Sequence, residues 1–150
     1  MITCPDVTKS VIRTHYNLST LFYRLLWGPH IHHGLWDAEE TPATAQIRLI
    51  ETLADRARIA PGSRVFDIGC GMGGSSLHLA KELNCTVTGV TISSVQRCWA
   101  SISARLKGLA GRSQFLCQDA ETVELPNDSA DVVWSIECTE HLFDKPAFFH

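Results

Sequence analysis

The chain lacks three features that would place it at a membrane or on a nucleic acid. No apolar run reaches the ~20 residues that span a bilayer. The N-terminal stretch MITCPDVTKS has no charged segment followed by an apolar segment, so it does not resemble a secretory signal. No basic cluster occurs, and a net charge of −3 argues against a nucleic-acid or anionic-membrane surface. These absences predict a cytoplasmic protein with no membrane span and no nucleic-acid partner.

Cysteine pairing motifs are also missing. The six cysteines are scattered, and no two of them form a C-x-x-C pair. Four of them fall in or beside predicted buried strands and helices, where a free thiol behaves as a small apolar side chain. This pattern favours reduced cysteines over a disulfide framework. With 150 residues, 45% of them hydrophobic, the chain is long enough for one domain with a real core.

The run VFDIGCGMGGSS, residues 65–76, is the most informative part of the sequence. It predicts a buried strand that ends at Asp67 and a glycine-rich loop that leads directly into a helix. Gly69, Gly71 and Gly73 remove side chains where a ligand could lie against the backbone. Free N–H groups at the start of the helix would point toward that ligand.

Two ligand classes fit such a loop. Gly69, Gly71 and Gly74 have the G-x-G-x-x-G spacing of dinucleotide sites. In those sites, however, the loop and the helix dipole receive a pyrophosphate, which Asp67 would repel. A cationic ligand would be attracted instead, and S-adenosylmethionine carries an ammonium and a sulfonium with a single carboxylate. Asp67 therefore favours this second ligand.

The order of elements predicts an α/β fold of the doubly wound, Rossmann-like type. Residues 1–62 are predicted as an N-terminal helical cap, with helices over about 7–27 and, after the Thr41–Pro42 N-terminal signal, to about 57. Residues 63–150 alternate strands and helices, which implies a mostly parallel sheet with helices on both faces. The predicted strands cover residues 64–67, 86–91, 114–118 and 130–136, and the helices between them cover about 75–83 and 94–109. Because the sequence stops inside the next predicted helix, we expect a fold truncated after strand four.

Candidate ligand-binding residues follow the second and third strands, where sites in parallel sheets gather. Thr91, Ser93 and Gln96 offer polar side chains after strand two, although Ser93-x-x-Gln96 is also a capping box for the next helix. Asp119 and Ala120 follow strand three. The carboxylate of Asp119 is the kind of acceptor that an adenine amine requires, and its alternative role is to cap a turn.

Strand four is predicted to deliver polar groups to the same edge. Its segment 132–134 is predicted as core, and Ile136 reaches the strand end. Glu137, Glu140 and His141 then place two carboxylates and an imidazole in a cleft, as acid–base chemistry requires. The alternative is that His141 packs at a helix start while Glu140 is solvated.

These motifs together resemble the class I S-adenosylmethionine-dependent methyltransferases, most closely the gamma-tocopherol, sterol and cyclopropane-fatty-acid synthase branch. The strand–acid–G-x-G-x-G motif, T-I-S-x-x-Q, S-I-E-x-x-E-H and the histidine run H-x-H-H-G carry the resemblance. It implies S-adenosyl-L-methionine as cofactor, and Glu140 matches a glutamate that helps to hold a bicarbonate base in the cyclopropane synthases. The implied cofactor-binding residues are Asp67, Gly69, Cys70, Gly71, Gly73, Thr91, Ile92, Ser93, Gln96, Asp119, Ala120 and Ile136.

The N-terminal segment resembles a lid of the same enzymes. Tyr16 and Trp36 are expected to close over the cofactor, with their aromatic faces toward the sulfonium. The residue after Tyr16 is Asn17, where the related enzymes carry aspartate. His30, His32 and His33 permit a metal site, but no cysteine or carboxylate has a convincing spacing, so no metal is predicted.

The sequence therefore predicts transfer of a methyl group to a small-molecule acceptor by in-line displacement. The expected substrate is phenolic, isoprenoid or lipid-like and is methylated at carbon or oxygen. His141, Glu140 and Glu137 are the candidate catalytic residues, with His141 the natural base near neutral pH. Two alternatives remain: a non-catalytic cofactor-binding or assembly fragment, and a nicotinamide-dependent oxidoreductase. The oligomeric state is not predicted.

Overall fold

Four parallel strands form one sheet at the centre of the molecule. In the computed structural model, which describes residues 7–149, they are β1 (Arg64–Ile68), β2 (Thr86–Thr91), β3 (Ser113–Cys117) and β4 (Val132–Trp134). The spatial order is β3-β2-β1-β4, so the strand order reverses between β1 and β4. Such a switch point opens a crevice at the carboxyl ends of the strands, which is where α/β proteins bind ligands. The predicted α/β class and parallel sheet are confirmed.

The helices are α1 (Lys9–Leu26), α2 (Pro42–Arg56), α3 (Gly74–Glu82), α4 (Ser94–Leu106) and α5 (Lys145–Phe148), with a 3₁₀ turn at Thr139–His141. Thr41 caps α2 as predicted, with Pro42 in its first turn, and Ser93 caps α4. The predicted end of α4 near residue 109 is wrong by three residues, because Gly108 adopts a left-handed φ of 69°. No helix within residues 7–149 is long and apolar enough to cross a membrane.

One face of the sheet carries the core. Val65, Val87 and Trp134 pack against Ile50 of α2 and Leu79 of α3 in a single hydrophobic cluster. A second cluster joins Leu77 of α3 and Ala100 and Ala104 of α4 to Phe115 of β3. Although the sequence predicts α1 and α2 together as a cap, α2 thus packs within the core layer.

The opposite face of the sheet is more open. Phe66 pairs with Thr88 and Val133, so these three side chains share that face. Val133 is 69% exposed, and the prediction that it belongs to the core is wrong. Its strand lies at the edge of the sheet, and its side chain points away from α2 and α3. β4 is also shorter than predicted, because only three of its residues pair with β1.

Helix α1 presents its apolar residues outward. Leu18, Phe22 and Leu25 are between 65% and 73% exposed, whereas Ile12 and Thr20 are its buried residues. The helix packs against α4. Its contacts with the segments that follow the strands include the hydrogen bonds and ion pairs of Lys9, Tyr16 and Asn17.

Candidate functional site

A cavity of about 350 Å³ lies at the carboxyl ends of the four strands. Helix α1 and residues 29–33 form its cover, and the glycine loop forms its floor. Most residues predicted from the sequence meet here. The predicted residues in its wall are Tyr16, Asp67, Gly69, Cys70, Gly71, Thr91, Ile92, Gln96, Asp119, Ala120, Ile136, Glu137, Glu140 and His141.

The glycine loop after β1 has the open backbone that the sequence predicts. Gly69 and Gly71 adopt left-handed φ angles of 79° and 53°. A Cβ on Gly69 would overlap the side chain of Cys138, so the loop and the segment after β4 approach too closely for any side chain there. A Cβ on Gly71 would meet only Ile31, at 3.7 Å, and the space beside this residue is open. The loop therefore offers bare backbone to a ligand.

Asp67 lies beneath this loop and is only 2% exposed. Its carboxylate accepts a hydrogen bond from the hydroxyl of Ser76, in the first turn of α3. Burial raises the pKa of Asp67 to about 6, and the hydrogen bonds from Ser76 lower it only in part. A cationic ligand in the cavity would favour the charged form of this carboxyl group.

The end of β2 is arranged around Thr91 and Gln96. The Thr91 hydroxyl donates to Oε1 of Gln96 at 2.8 Å, which holds the amide at the cavity wall. Ser93 is fully buried and lies outside that wall: it caps α4 by accepting from Gln96 N at 3.1 Å, and it donates to Oδ1 of Asn17 at 2.6 Å. The capping alternative therefore describes Ser93, and Asn17 gains a role in joining α1 to α4.

Two further predicted residues lie outside the cavity wall. Gly73 is the N-cap of α3, where an added Cβ would lie 3.0 Å from both Ala100 and Phe115, so this glycine permits helix packing. Trp36 is 53% exposed. Its loop is held against α2 by the hydrogen bond from Leu35 N to the carbonyl of Ala45, which leaves Trp36 away from the cavity.

At the end of β3, Asp119 meets a lysine that the sequence did not single out. Lys9, the first residue of α1, donates from Nζ to Oδ1 of Asp119 at 3.2 Å and to the carbonyl of His141 at 3.3 Å. It also forms an ion pair with Glu121. These contacts fasten the start of α1 to the strand ends.

The end of β4 carries the predicted acid–base residues. Glu137 adopts a left-handed φ of 50°, a strained conformation for a non-glycine residue, and its carboxylate contacts Nδ1 of His33 at 2.9 Å. The Tyr16 hydroxyl lies 2.8 Å from Nε2 of His141. Burial raises the pKa of Tyr16 to about 12, so this hydroxyl keeps its proton at neutral pH. Glu140 lines the cavity and has no side-chain partner within residues 7–149.

The three histidines of the cover all line the cavity, but they differ in environment. His30 is 7% exposed, and burial lowers its pKa to about 4. Burial also lowers the pKa of His32, so both rings are neutral near pH 7. His33 is the exposed member and contacts Glu137. In the described part of the chain, no three His, Cys, Asp or Glu side chains are grouped to hold a metal ion.

Lys9 and Cys138 are among the wall residues that sequence reasoning missed. Lys9 lies 110 positions from Asp119, and nothing in the local pattern of α1 indicates that contact. Cys138 lies between two predicted site residues, Glu137 and Glu140, and this position in the sequence could have indicated that it lines the cavity. Burial raises the pKa of its thiol to about 11, so the residue acts as an apolar wall group.

The parallel sheet, its strand order and this cavity define a class I, Rossmann-like methyltransferase fold. The chain belongs to the mycolic acid cyclopropane synthetase family, whose model matches residues 5–150. Among curated proteins, it is 37% identical over 155 residues to the probable chloroplastic tocopherol O-methyltransferase of Oryza sativa subsp. japonica. That match covers 96% of this chain and 42% of the rice protein.

Two solved structures extend the comparison. The crystal structure of the cyclase SpnF matches with a TM-score of 0.88 and 30% identity, over 98% of this chain and 56% of that one. Coclaurine N-methyltransferase, bound to N-methylheliamine and SAH, matches with a TM-score of 0.73 and 28% identity, over 79% and 35%. The chain spans about half the length of the curated relatives it matches.

Proposed function

We propose that the chain carries the S-adenosylmethionine site of a methyltransferase that acts on a small-molecule acceptor. One observation supports this most: the glycine loop, the Tyr16–His141 contact and the predicted adenine-binding residues Asp119 and Ala120 all line one cavity. The cavity is also rich in carboxylates, which suits a ligand with a sulfonium and an ammonium. Phenolic, isoprenoid or lipid-like acceptors, methylated at carbon or oxygen, remain the proposed substrate class.

The residues fit the cofactor part by part. Oδ2 of Asp119 has no hydrogen-bond partner within residues 7–149, so it is able to accept from an adenine amine. Thr91 and Gln96 supply a hydroxyl and an amide after β2, where a nicotinamide site would use an acid. The bare backbone at Gly69 and Gly71 admits the methionine portion. When bound, the cofactor supplies the electrophilic methyl group.

The chain's own residues then orient the acceptor and manage its proton. In the His141 tautomer that carries its proton on Nδ1, the Tyr16 hydroxyl donates to Nε2, which fixes the ring at the cavity wall. The carboxylate of Glu140 has no hydrogen-bond partner in the described residues. We assign Glu140 the role of the base that accepts the proton from the hydroxyl group of the methyl acceptor. Helix α1 and residues 29–33, which cover the cavity, exclude water from it. Correct alignment of the two reactants alone lowers the barrier of such a reaction by ~7–11 kcal/mol.

Calorimetric titration of the complete protein with S-adenosylhomocysteine and with NAD tests this proposal. We expect S-adenosylhomocysteine to bind in the micromolar range, about −8 kcal/mol, and NAD not to bind. A screen with a labelled methyl donor against phenols, prenylated quinols and sterols then identifies the acceptor, and Glu140→Gln should lower its turnover. Binding of NAD in place of S-adenosylhomocysteine would exclude a methyltransferase.

A second candidate is a protein that keeps the cofactor site without transferring a methyl group. One observation favours it: the solved structure with a TM-score of 0.88 is described as a cyclase. Binding of S-adenosylhomocysteine together with conversion of a substrate that gains no label would favour this candidate.

A further inference from the structure

Lys9 is the one residue of α1 that contacts the proposed adenine end of the cavity through a charged group. Its Nζ donates to Oδ1 of Asp119 at 3.2 Å and forms an ion pair with Glu121. The same ammonium lies 4.9 Å from the centre of the Phe143 ring. Burial alone lowers the pKa of Lys9, but hydrogen bonds to Glu121 and Asp119 outweigh it, and the net pKa is raised. Lys9 is therefore a cation at neutral pH.

The contacts on Asp119 are unevenly divided between its two oxygens. Oδ1 accepts from Lys9 and also from the backbone N–H of Glu121, at 3.1 Å. The carbonyl of Asp119 accepts from the N–H groups of Thr122 and Val123, which fixes the backbone turn. Within residues 7–149, Oδ2 receives no hydrogen bond. One carboxylate oxygen is thus held, and the other is left for a ligand.

We propose that Lys9 is a positioning residue for cofactor recognition. By holding Oδ1, it stops the carboxylate of Asp119 from rotating and directs Oδ2 to the exocyclic amine of adenine. Lys9 also balances the charge of Glu121, whose other oxygen accepts from the backbone N–H groups of Phe143 and Asp144. Because Lys9 begins α1, the same contact couples closure of this helix over the cavity to recognition of the base. This inference rests on the proposed function.

The coupling follows from how few anchors α1 has. Most of its apolar side chains face outward, and Ile12 and Thr20 are its buried residues, so polar links carry much of its attachment. Its other polar links to the strand ends are Tyr16 with His141 and Asn17 with Ser93, each one turn or more along the helix from Lys9. Lys9 is thus the anchor at the adenine end, and it also donates to the carbonyl of His141 at 3.3 Å.

The test compares two ligands that differ only in the group facing Asp119. The 6-deamino analogue of S-adenosylhomocysteine has a hydrogen atom in place of the exocyclic amine, so it offers no donor to Oδ2 and keeps N1 as an acceptor. Titration of the complete protein and its Lys9→Met variant with each ligand measures the discrimination between them. We expect Lys9→Met to weaken S-adenosylhomocysteine by about tenfold more than the deamino analogue, the scale of a charged hydrogen bond.

The controls separate positioning from a general effect on folding. Lys81→Met removes an exposed lysine that pairs with Glu82 on α3 and should leave both affinities unchanged. Lys9→Arg keeps the charge and should retain most of the discrimination. Lys9→Gln provides the same comparison if the methionine variant does not fold.

Three results would overturn the inference. Equal weakening of both ligands would mean that Lys9 only supports the lid. No change in either ligand would mean that Asp119 is oriented without it. If the unmodified protein bound neither ligand, the proposed function itself would fail, and this outcome is recognised before any variant is made.

Discussion

Two aspartates, Asp67 in β1 and Asp131 directly before β4, have pKa values that are shifted in opposite directions. Asp67 is buried beneath the glycine loop, and burial raises its pKa to about 6. Asp131 is exposed, and hydrogen bonds from Arg64 lower its pKa to about 2. A carboxylate buried without a cationic partner in the described residues thus costs stability, whereas one paired with an arginine at the surface does not.

Asp67→Asn should stabilise the protein above pH 6. The folded state binds the Asp67 proton more tightly than the unfolded chain does, so stability falls as the pH rises from about 4 to about 6. The rise in the pKa of Asp67 from its ordinary value to about 6 corresponds to about 3 kcal/mol. Urea unfolding from pH 4 to 8 should show the variant's advantage growing over this interval and remaining constant above it.

Asp131→Asn is the matched control with the opposite sign. Its stabilising effect is present above about pH 4 and is lost as the pH falls toward 2, so its removal should destabilise the protein at neutral pH. A constant difference between Asp67→Asn and the unmodified protein from pH 4 to 8 would contradict the account of Asp67. We also expect Asp67→Asn to weaken binding of S-adenosylhomocysteine.

Gly69→Ala should cost more stability than Gly62→Ala. Both glycines adopt left-handed φ angles, 79° and 84°, so alanine meets the same backbone penalty of about 1–2 kcal/mol at each. At Gly62 no atom lies within 4 Å of the new Cβ, but at Gly69 it would overlap Cys138. That overlap should add about 1–3 kcal/mol and move the loop.

Thermal unfolding of both alanine variants measures this difference, and titration with S-adenosylhomocysteine should show that only Gly69→Ala loses affinity. Equal stability of the two variants would mean that Cys138 and the segment after β4 shift to make room for the added methyl group. In that case the close approach of Gly69 and Cys138 would not constrain the site.

At the scale of single elements, the N-cap residues of α2 and α4 show that the same local motif differs in its tertiary contacts. Thr41 and Ser93 both cap helices through their hydroxyl groups. Thr41 is exposed, and within residues 7–149 its side chain forms hydrogen bonds only with Thr44. Ser93 is fully buried and also donates to Asn17, so it joins α4 to α1. The same local pattern therefore serves a single helix in one place and a helix pair in the other.

Ser93→Ala should destabilise the fold more than Thr41→Ala. Loss of a cap costs about 1 kcal/mol in either case. Ser93→Ala also removes the hydroxyl donor of the half-buried Asn17, whose Oδ1 keeps Val95 N at 3.5 Å, and this loss adds about 1 kcal/mol. Urea unfolding measures both variants. Because Ser93 lies outside the cavity wall, the affinity for S-adenosylhomocysteine should change less than in Gly69→Ala. If Ser93→Ala reduced the free energy of S-adenosylhomocysteine binding more than the free energy of unfolding, Ser93 would be a cofactor contact after all.

On the scale of the whole molecule, the sheet order brings distant residues to one edge. Parallel strands in the order β3-β2-β1-β4 place the ends of all four strands around one cavity. Residues that follow each strand in the sequence thus become neighbours in space. This is why most of the residues predicted from the local motifs at Asp67, Thr91, Asp119 and Glu137 lie in the cavity wall.

The sequence by itself determined what depends on local pattern: the strands, the glycine loop, the helix caps and the acids after the strands. These features follow from periodicity, backbone freedom and side-chain chemistry, which act over a few residues. Tertiary structure alone decided the outward apolar side of α1, the position of Trp36 away from the cavity and the exposure of Val133. It also decided that Lys9 reaches Asp119, because a contact between residues 110 positions apart depends on how α1 crosses the strand ends.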